Sequence, residues 1–181
     1  KVIFDAHEDF PKQLLGKPYL IQPAKRILSK AFELYEKMTL NRFDHIISAT
    51  PIINSKFLNI NKNSSNINNF PILGELAKDA PWNEKLNEIC YVGGISEIRG
   101  IKELVSSLEN LTDVKLNLVG SFNEQKLEQE VKTYDGWHKV KECGFLQRHE
   151  VAAIMSQCKA GIVTFHPLPN HIDAQPNKMF E

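Results

Sequence analysis

The residues best suited to chemistry in this 181-residue chain stand in short clusters just after apolar runs. His7 and Glu8 follow Val2-Ile3-Phe4-Asp5. Gly93-Gly94-Ile95-Ser96-Glu97-Ile98-Arg99-Gly100 follows the run at 88–92. Gly120-Ser121 follows 114–119, Gly144-Phe145-Leu146 follows 140–143, and a loop rich in Pro, Asn and His, 165–177, follows 160–164. Glycine lets backbone approach a bound group closely, and N–H groups at the start of a following helix favour phosphate. Arg99, beside the Gly-Gly turn, could hold a pyrophosphate through its guanidinium. Taken alone, such a turn serves chain geometry as often as a ligand, and Arg99 could equally be a surface residue of a first helical turn. The turn is neither G-x-G-x-x-G nor a Walker loop. Pro176 suits the first turn of a helix over 177–181. Glu181 would then point its carboxylate at the site, or simply complement the helix dipole.

No metal centre is expected. His166 and His171 flank a Pro-rich loop, but no Cys or carboxylate completes a zinc spacing, and there is no D-x-D. Cys90, Cys143 and Cys158 are odd in number, far apart and in apolar surroundings, which reads as reduced core thiols in a cytosolic protein.

The elements that must position these clusters follow from periodicity. Strands are predicted at 1–5, 45–49, 88–92, 114–119, 140–143 and 160–164. Helices are predicted from Pro23 to Met38 and at 51–57, 99–108, 123–133 and 149–158. The first of these carries Ile27, Leu28, Ala31, Phe32, Leu34, Tyr35 and Met38 at helical spacing, with Lys25, Arg26, Lys30, Glu33 and Lys37 between them. Six Asn fall within 59–69, which predicts turn-rich surface. Strand–helix alternation with near-continuous apolar strands predicts an α/β fold, with parallel sheets covered by helices on both faces. Ligands of such sheets bind beyond the carboxyl ends of the strands, where the clusters stand.

Composition narrows the function. Hydrophobic residues make 42% and charged residues 24%, as in ordinary globular proteins. Lys+Arg 22 balances Asp+Glu 22, which argues against a nucleic-acid partner held by a basic surface. No apolar run approaches the ~18 residues of a membrane span.

Taken together, these clusters resemble the family-4 retaining glycosyltransferases of the GT-B fold (glycosyl transferases group 1). Phe4-Asp5-Ala6-His7-Glu8 resembles "D-x-H-E", and Asn68-Asn69-Phe70-Pro71 resembles "N-x-P". Tyr91-Val92-Gly93-Gly94 through Glu97-Ile98-Arg99-Gly100-Ile101 resembles "V-G-R…E-K-G-I". Leu118-Val119-Gly120-Ser121 resembles "I-V-G-x-G", Gly144-Phe145-Leu146 the "G-F-V" turn, and Pro176-Asn177-Lys178-Met179-Phe180-Glu181 "P-x-K-x-x-E". The resemblance implies Rossmann-like domains: 1–70 as the C-terminal part of an acceptor-side domain, 71–82 as a linker, and 83–181 as a donor-binding domain cut short at its end. Both chain ends read as cuts, so the chain alone is expected to be inactive.

The resemblance implies transfer of a sugar from a nucleotide-diphosphate-sugar donor with retained configuration and no metal or other cofactor. The acceptor would be a carbohydrate or a lipid-linked sugar. Gly93, Gly94, Gly120 and Ser121 would line the donor, with Gly94 where the family often has Arg. Arg99, in place of the family's Lys, would stabilise the leaving diphosphate. Gly144, Phe145 and Leu146 would touch the base. Asn177 and Lys178 would offer backbone N–H groups to phosphate, and Glu181 would accept the ribose hydroxyls. Asp173 stands eight positions before Glu181, where the family has Glu, and would bond donor-sugar hydroxyls. His7 would face the donor sugar from the other domain. A cytoplasmic location follows, with peripheral contact at the inner membrane face through the Lys25, Arg26, Lys30, Lys37 helix. Three other readings stay open: a sugar-nucleotide epimerase or phosphorylase, a non-catalytic binder or degenerate partner subunit, and a plain α/β interaction domain.

Overall fold

The computed structural model describes residues 1–76 and 80–180. The chain forms two compact units, one of residues 1–70 with 167–177, the other of 71–166 with 178–181.

The first unit is built on three parallel strands in the order β1-β2-β3: β1 (Ile3–Ala6), β2 (His45–Ser48) and β3 (Ser64–Asn66). Helices α1 (Phe10–Leu15) and α2 (Gln22–Leu40) cross from β1 to β2, and α3 (Pro51–Leu58) from β2 to β3. Thr50 starts α3 by accepting the Ile53 N–H at 3.3 Å, with Pro51 in the first turn. The core is Ala6, Leu40, Ile46, Ile53 and Phe57, joined by Phe4 and Phe43. Phe4 meets Phe43 and Phe57 edge-on at 6.3 and 6.0 Å.

Two expectations change here. The Asn-rich stretch contains strand β3. Its backbone pairs with β2, Ser64 Oγ donates to Asn54 Oδ1 at 2.7 Å, and Ser65 Oγ lies 2.8 Å from His45 Nε2. Pairing with a sheet edge overrides the poor strand propensity of Asn and Ser. Helix α2 forms as predicted, yet its apolar stripe is exposed except at the half-buried Phe32, with Ile27 at 67% and Met38 at 62%. The buried positions are Glu36 and Leu40. Phe32 stacks on Phe10 of α1 at 4.5 Å, and Glu36 reaches Lys56 of α3 at 2.7 Å, so local partners decide which side turns inward.

The second unit has four parallel strands in the order β6-β5-β4-β7: β4 (Leu86–Val92), β5 (Lys115–Val119), β6 (Val140–Gly144) and β7 (Cys158–Gly161). Helices α4 (Ile101–Leu108), α5 (Gln125–Val131) and α6 (Arg148–Gln157) connect them. Ile101, Leu104, Val105 and Leu108 of α4 follow a single helical stripe and are all buried. At about 1.5–3 kcal/mol for each large apolar side chain, that stripe alone anchors the helix. It packs with Leu116 and Leu118 of β5, while Val119 meets Leu76, Val151 and Ala152 in a second cluster. Strand alternation thus gives each face of the sheet its own apolar layer. Strand β7 begins two residues before the predicted 160–164, because Lys85 Nζ donates to the carbonyls of Ser156 and Cys158 and closes α6 there. The three cysteines carry free thiols, Cys90 and Cys158 buried.

Among the described residues, no helix is long and apolar enough to cross a membrane.

Candidate functional site

The order β6-β5-β4-β7 places a topological switch point in the second unit. The chain leaves β4 for β5 on one side and later returns to β4's other side as β7. In open parallel sheets the crevice at such a point, beyond the carboxyl ends, is where ligands bind. Residues 93–100 follow β4, and residues 162–166 follow β7.

Their side chains meet across that point. The Arg99 guanidinium lies over the ring of Phe165, 5.7 Å from its centroid, within cation–π range. Thr164 Oγ1 donates to the Arg99 carbonyl at 2.7 Å, and the His166 N–H donates to the Ile98 carbonyl at 2.9 Å. His166 Nε2 lies 3.0 Å from Glu103 Oε1 on α4. Arg99 Nη1 donates to the Gly94 carbonyl at 3.4 Å, and the Tyr91 hydroxyl donates to the same oxygen at 2.8 Å. Burial pushes the Tyr91 phenol above its ordinary value, against the pull of the Arg99 charge, so it keeps the proton it donates.

Glycine is required where the turns converge. A Cβ at Gly120 would stand 1.9 Å from the Gly93 carbonyl oxygen, with φ at +136° besides. At Gly93 and Gly94 a Cβ would come 3.3 and 3.6 Å from Arg99 Nη1, so their bare backbone leaves the space the guanidinium fills. The turns are laced together: Gly93 N–H donates to Val119 O, Ile95 N–H to Ser121 O, and Gly120 N–H to Gly144 O at 2.8 Å. The Gly94 N–H enters none of these bonds. The arrangement can therefore receive an anion with one guanidinium, while the Gly93 and Gly120 amides serve the scaffold.

The structure gathers Gly93, Gly94, Arg99, Gly120, Ser121 and Gly144 at these neighbouring carboxyl ends. In the turn after β6, Phe145 is 78% exposed, whereas Leu146 packs into the cluster of Val119 and Val151. Lys178 and Asn177 lie in a 3-10 turn, Asn177–Met179. Glu181 falls outside the described residues.

His7 and Asp173 lie in the first unit. His7 Nε2 sits 3.1 Å from Asp5 Oδ2, and the Asn69 amide is 3.3 Å from His7 Nδ1. Asn68 donates to the Gln175 side-chain carbonyl at 3.2 Å. Asp173 pairs with Lys12 Nζ at 2.6 Å. Asp9, Lys56 and Glu36 continue the chain of charges, with Lys56 Nζ at 2.9 Å from Asp9 and 2.7 Å from Glu36.

Sequence reasoning marked the loop 165–177 without singling out Phe165, and gave Tyr91 and Thr164 no part in the site. The signal was strand order: only β7 lying beside β4 brings 164–165 to Arg99. Among the described residues, no three His, Cys, Asp or Glu side chains converge in a way that could hold a metal ion.

This architecture defines an α/β protein with parallel sheets, whose second unit carries a switch-point site. Residues 74–167 match the model of the glycosyl transferases group 1, and the chain belongs to that family. Its fold matches about half of several GT-B glycosyltransferases. Sucrose-phosphate synthase of Thermosynechococcus elongatus is similar with a TM-score of 0.64 and 19% identity, over 89% of this chain and 43% of that one. HepE of Anabaena, solved with UDP-glucose, gives a TM-score of 0.62 and 18% identity, over 92% and 48%. TarM of S. aureus, solved with fondaparinux, alpha-GlcNAc-glycerol and UDP, gives 0.53 and 15%, over 80% and 28%. The chain thus spans less than half the length of these solved structures. No curated protein matches it in sequence.

Proposed function

We propose that the protein transfers a hexose from a nucleotide-diphosphate-sugar donor to a carbohydrate or lipid-linked acceptor, retaining the anomeric configuration and needing no metal. The observation that carries this reading is the Arg99 guanidinium, held over Gly93-Gly94 at the switch point by Gly94 and Phe165. Negative charge grows on the diphosphate as the sugar–oxygen bond breaks, and a fixed cation there lowers the barrier. Arg99 fills that role, with the Gly94 N–H as a second donor. The exposed Phe145 ring offers a face for the base, while Leu146 anchors its turn in the core. Glu181 is proposed for the ribose hydroxyls, Asn177 and Lys178 for phosphate, and His7 and Asp173 for the donor sugar. HepE was solved with UDP-glucose, so that donor is the first to try.

The test is calorimetric titration of the intact protein with UDP, ADP and GDP, then NMR of the product's anomeric proton with the matching sugar donor in the presence of EDTA. Arg99→Ala is expected to weaken nucleoside-diphosphate binding roughly 10- to 100-fold, the range for losing hydrogen bonds to a charged group. Equal affinity in both proteins removes Arg99 from the site. Inverted product, or activity abolished by EDTA, overturns the stereochemical or the metal-free part respectively.

A non-catalytic sugar-nucleotide binder is the second reading, favoured by the Lys12–Asp173 pair, which occupies a carboxylate otherwise proposed for sugar hydroxyls. Donor binding without transfer or hydrolysis across a broad acceptor panel would decide for it.

A further inference from the structure

We infer that Tyr91 is a positioning residue for Arg99: its hydroxyl fixes the Gly94 carbonyl against which the guanidinium rests, and so sets the affinity for the donor's diphosphate. The inference rests on the proposed donor site. Tyr91 lies on β4 with its ring in the core beside Ile95, Ile101 and Leu118, and the residue is 5% exposed. Its hydroxyl emerges where the turn begins and donates to Gly94 O at 2.8 Å. That carbonyl is shared with Arg99 Nη1 at 3.4 Å, the longer of the two bonds. A guanidinium with several donors and a flexible stem needs such fixed points to keep its fork aimed in one direction. Phe165 supplies one from the β7 side and Thr164 holds the Arg99 backbone; toward the Gly-Gly turn the Tyr91 hydroxyl aims the guanidinium, both through the Gly94 carbonyl it holds and by facing Arg99 directly. A free peptide carbonyl at Gly94 could turn by rotation of its glycine dihedrals, which no Cβ restrains. The tyrosine removes that freedom from a turn that otherwise needs it.

Tyr91→Phe deletes the hydroxyl and keeps the ring packing. The experiment is a double-mutant cycle on the intact protein: wild type, Tyr91→Phe, Arg99→Ala and the double variant, each titrated with whichever of UDP, ADP and GDP the wild type binds. Thermal unfolding of each variant is followed alongside. In the Arg99 background, Tyr91→Phe is expected to weaken binding roughly three- to tenfold, the scale of one hydrogen bond. In the Arg99→Ala background it is expected to change nothing, because the group it aims is gone. Equal losses in both backgrounds, or none in either, overturn the positioning role while leaving the donor site standing. A wild type that binds none of the three diphosphates overturns the site and the inference together.

Discussion

At Gly120 a single missing methyl group decides whether three turns can meet. The β5 turn passes over the Gly93 carbonyl, and a Cβ there would stand 1.9 Å from that oxygen. At Gly144 the backbone is also left-handed, φ +66°, but nothing lies within 4 Å of a built Cβ. Gly120→Ala should therefore cost about 3 kcal/mol or more, strain plus collision, and should weaken diphosphate binding by displacing Gly93. Gly144→Ala should cost only the left-handed penalty of about 1–2 kcal/mol. Urea unfolding of the two variants separates the effects, and equal losses would show that conformation, not contact, makes Gly120 necessary. This is also where reading the sequence stops. That glycines follow the apolar strands, with Arg99 close behind the first pair, was legible in the sequence. That the Gly93 and Gly120 amides donate to neighbouring turns was not visible, because sequence gives no distance between turns. Tyr91 read as one more apolar strand position, since a core ring and a site hydroxyl share the same letter.

Elements were legible where one periodicity ruled and obscure where partners chose. The four buried positions of α4 follow directly from its pattern. Helix α2 shows the limit: a clear apolar stripe formed the helix but did not decide which face turns inward. The buried side instead carries Glu36, paired with Lys56 of α3, which also holds Asp9. Burial raises the Glu36 carboxyl above its ordinary value of 4.5; Lys56 opposes the shift, and Asp9 and Glu33 add to it. The sign of the pH effect follows. The folded state holds this proton more tightly than the unfolded chain, so the group favours folding at low pH. That contribution is lost as pH rises through the raised folded-state value. Glu36→Gln cannot ionise, so the stability of wild type relative to this variant should fall as pH rises from about 4 to about 7. Urea titrations of both proteins across that range measure it. A relative stability that grows with pH would mean the Lys56 pair outweighs the burial.

On the scale of the whole molecule, the chain builds two cores and passes between its two units three times, at 70–71, 166–167 and 177–178. The sequence reading ended the first domain at residue 70, with a linker over 71–82 and the second domain from 83; the Pro-, Asn- and His-rich composition of 165–177 is visible in the sequence, but the unit it packs with is not, because composition gives no distances. Each unit has its own sheet and apolar clusters, so each can open on its own. A ligand stabilises what it binds, by about 2.7 kcal/mol at a hundredfold excess over its dissociation constant. If the switch-point site takes the donor, that stabilisation must first reach the unit containing Arg99. Hydrogen exchange of the intact protein with and without saturating nucleoside diphosphate should therefore show slowed amides at 93–100, at 120–123 and at 144–146. Amides of α2 and α3, whose hydrogen bonds belong to the other core, should slow less. The Gly94 amide, outside the lacing between turns, should show the largest relative change, because a phosphate oxygen would give it the acceptor it does not find in those bonds. Protection confined to residues 1–70, or spread evenly over both units, would place the ligand elsewhere than on the carboxyl ends of β4, β5 and β6.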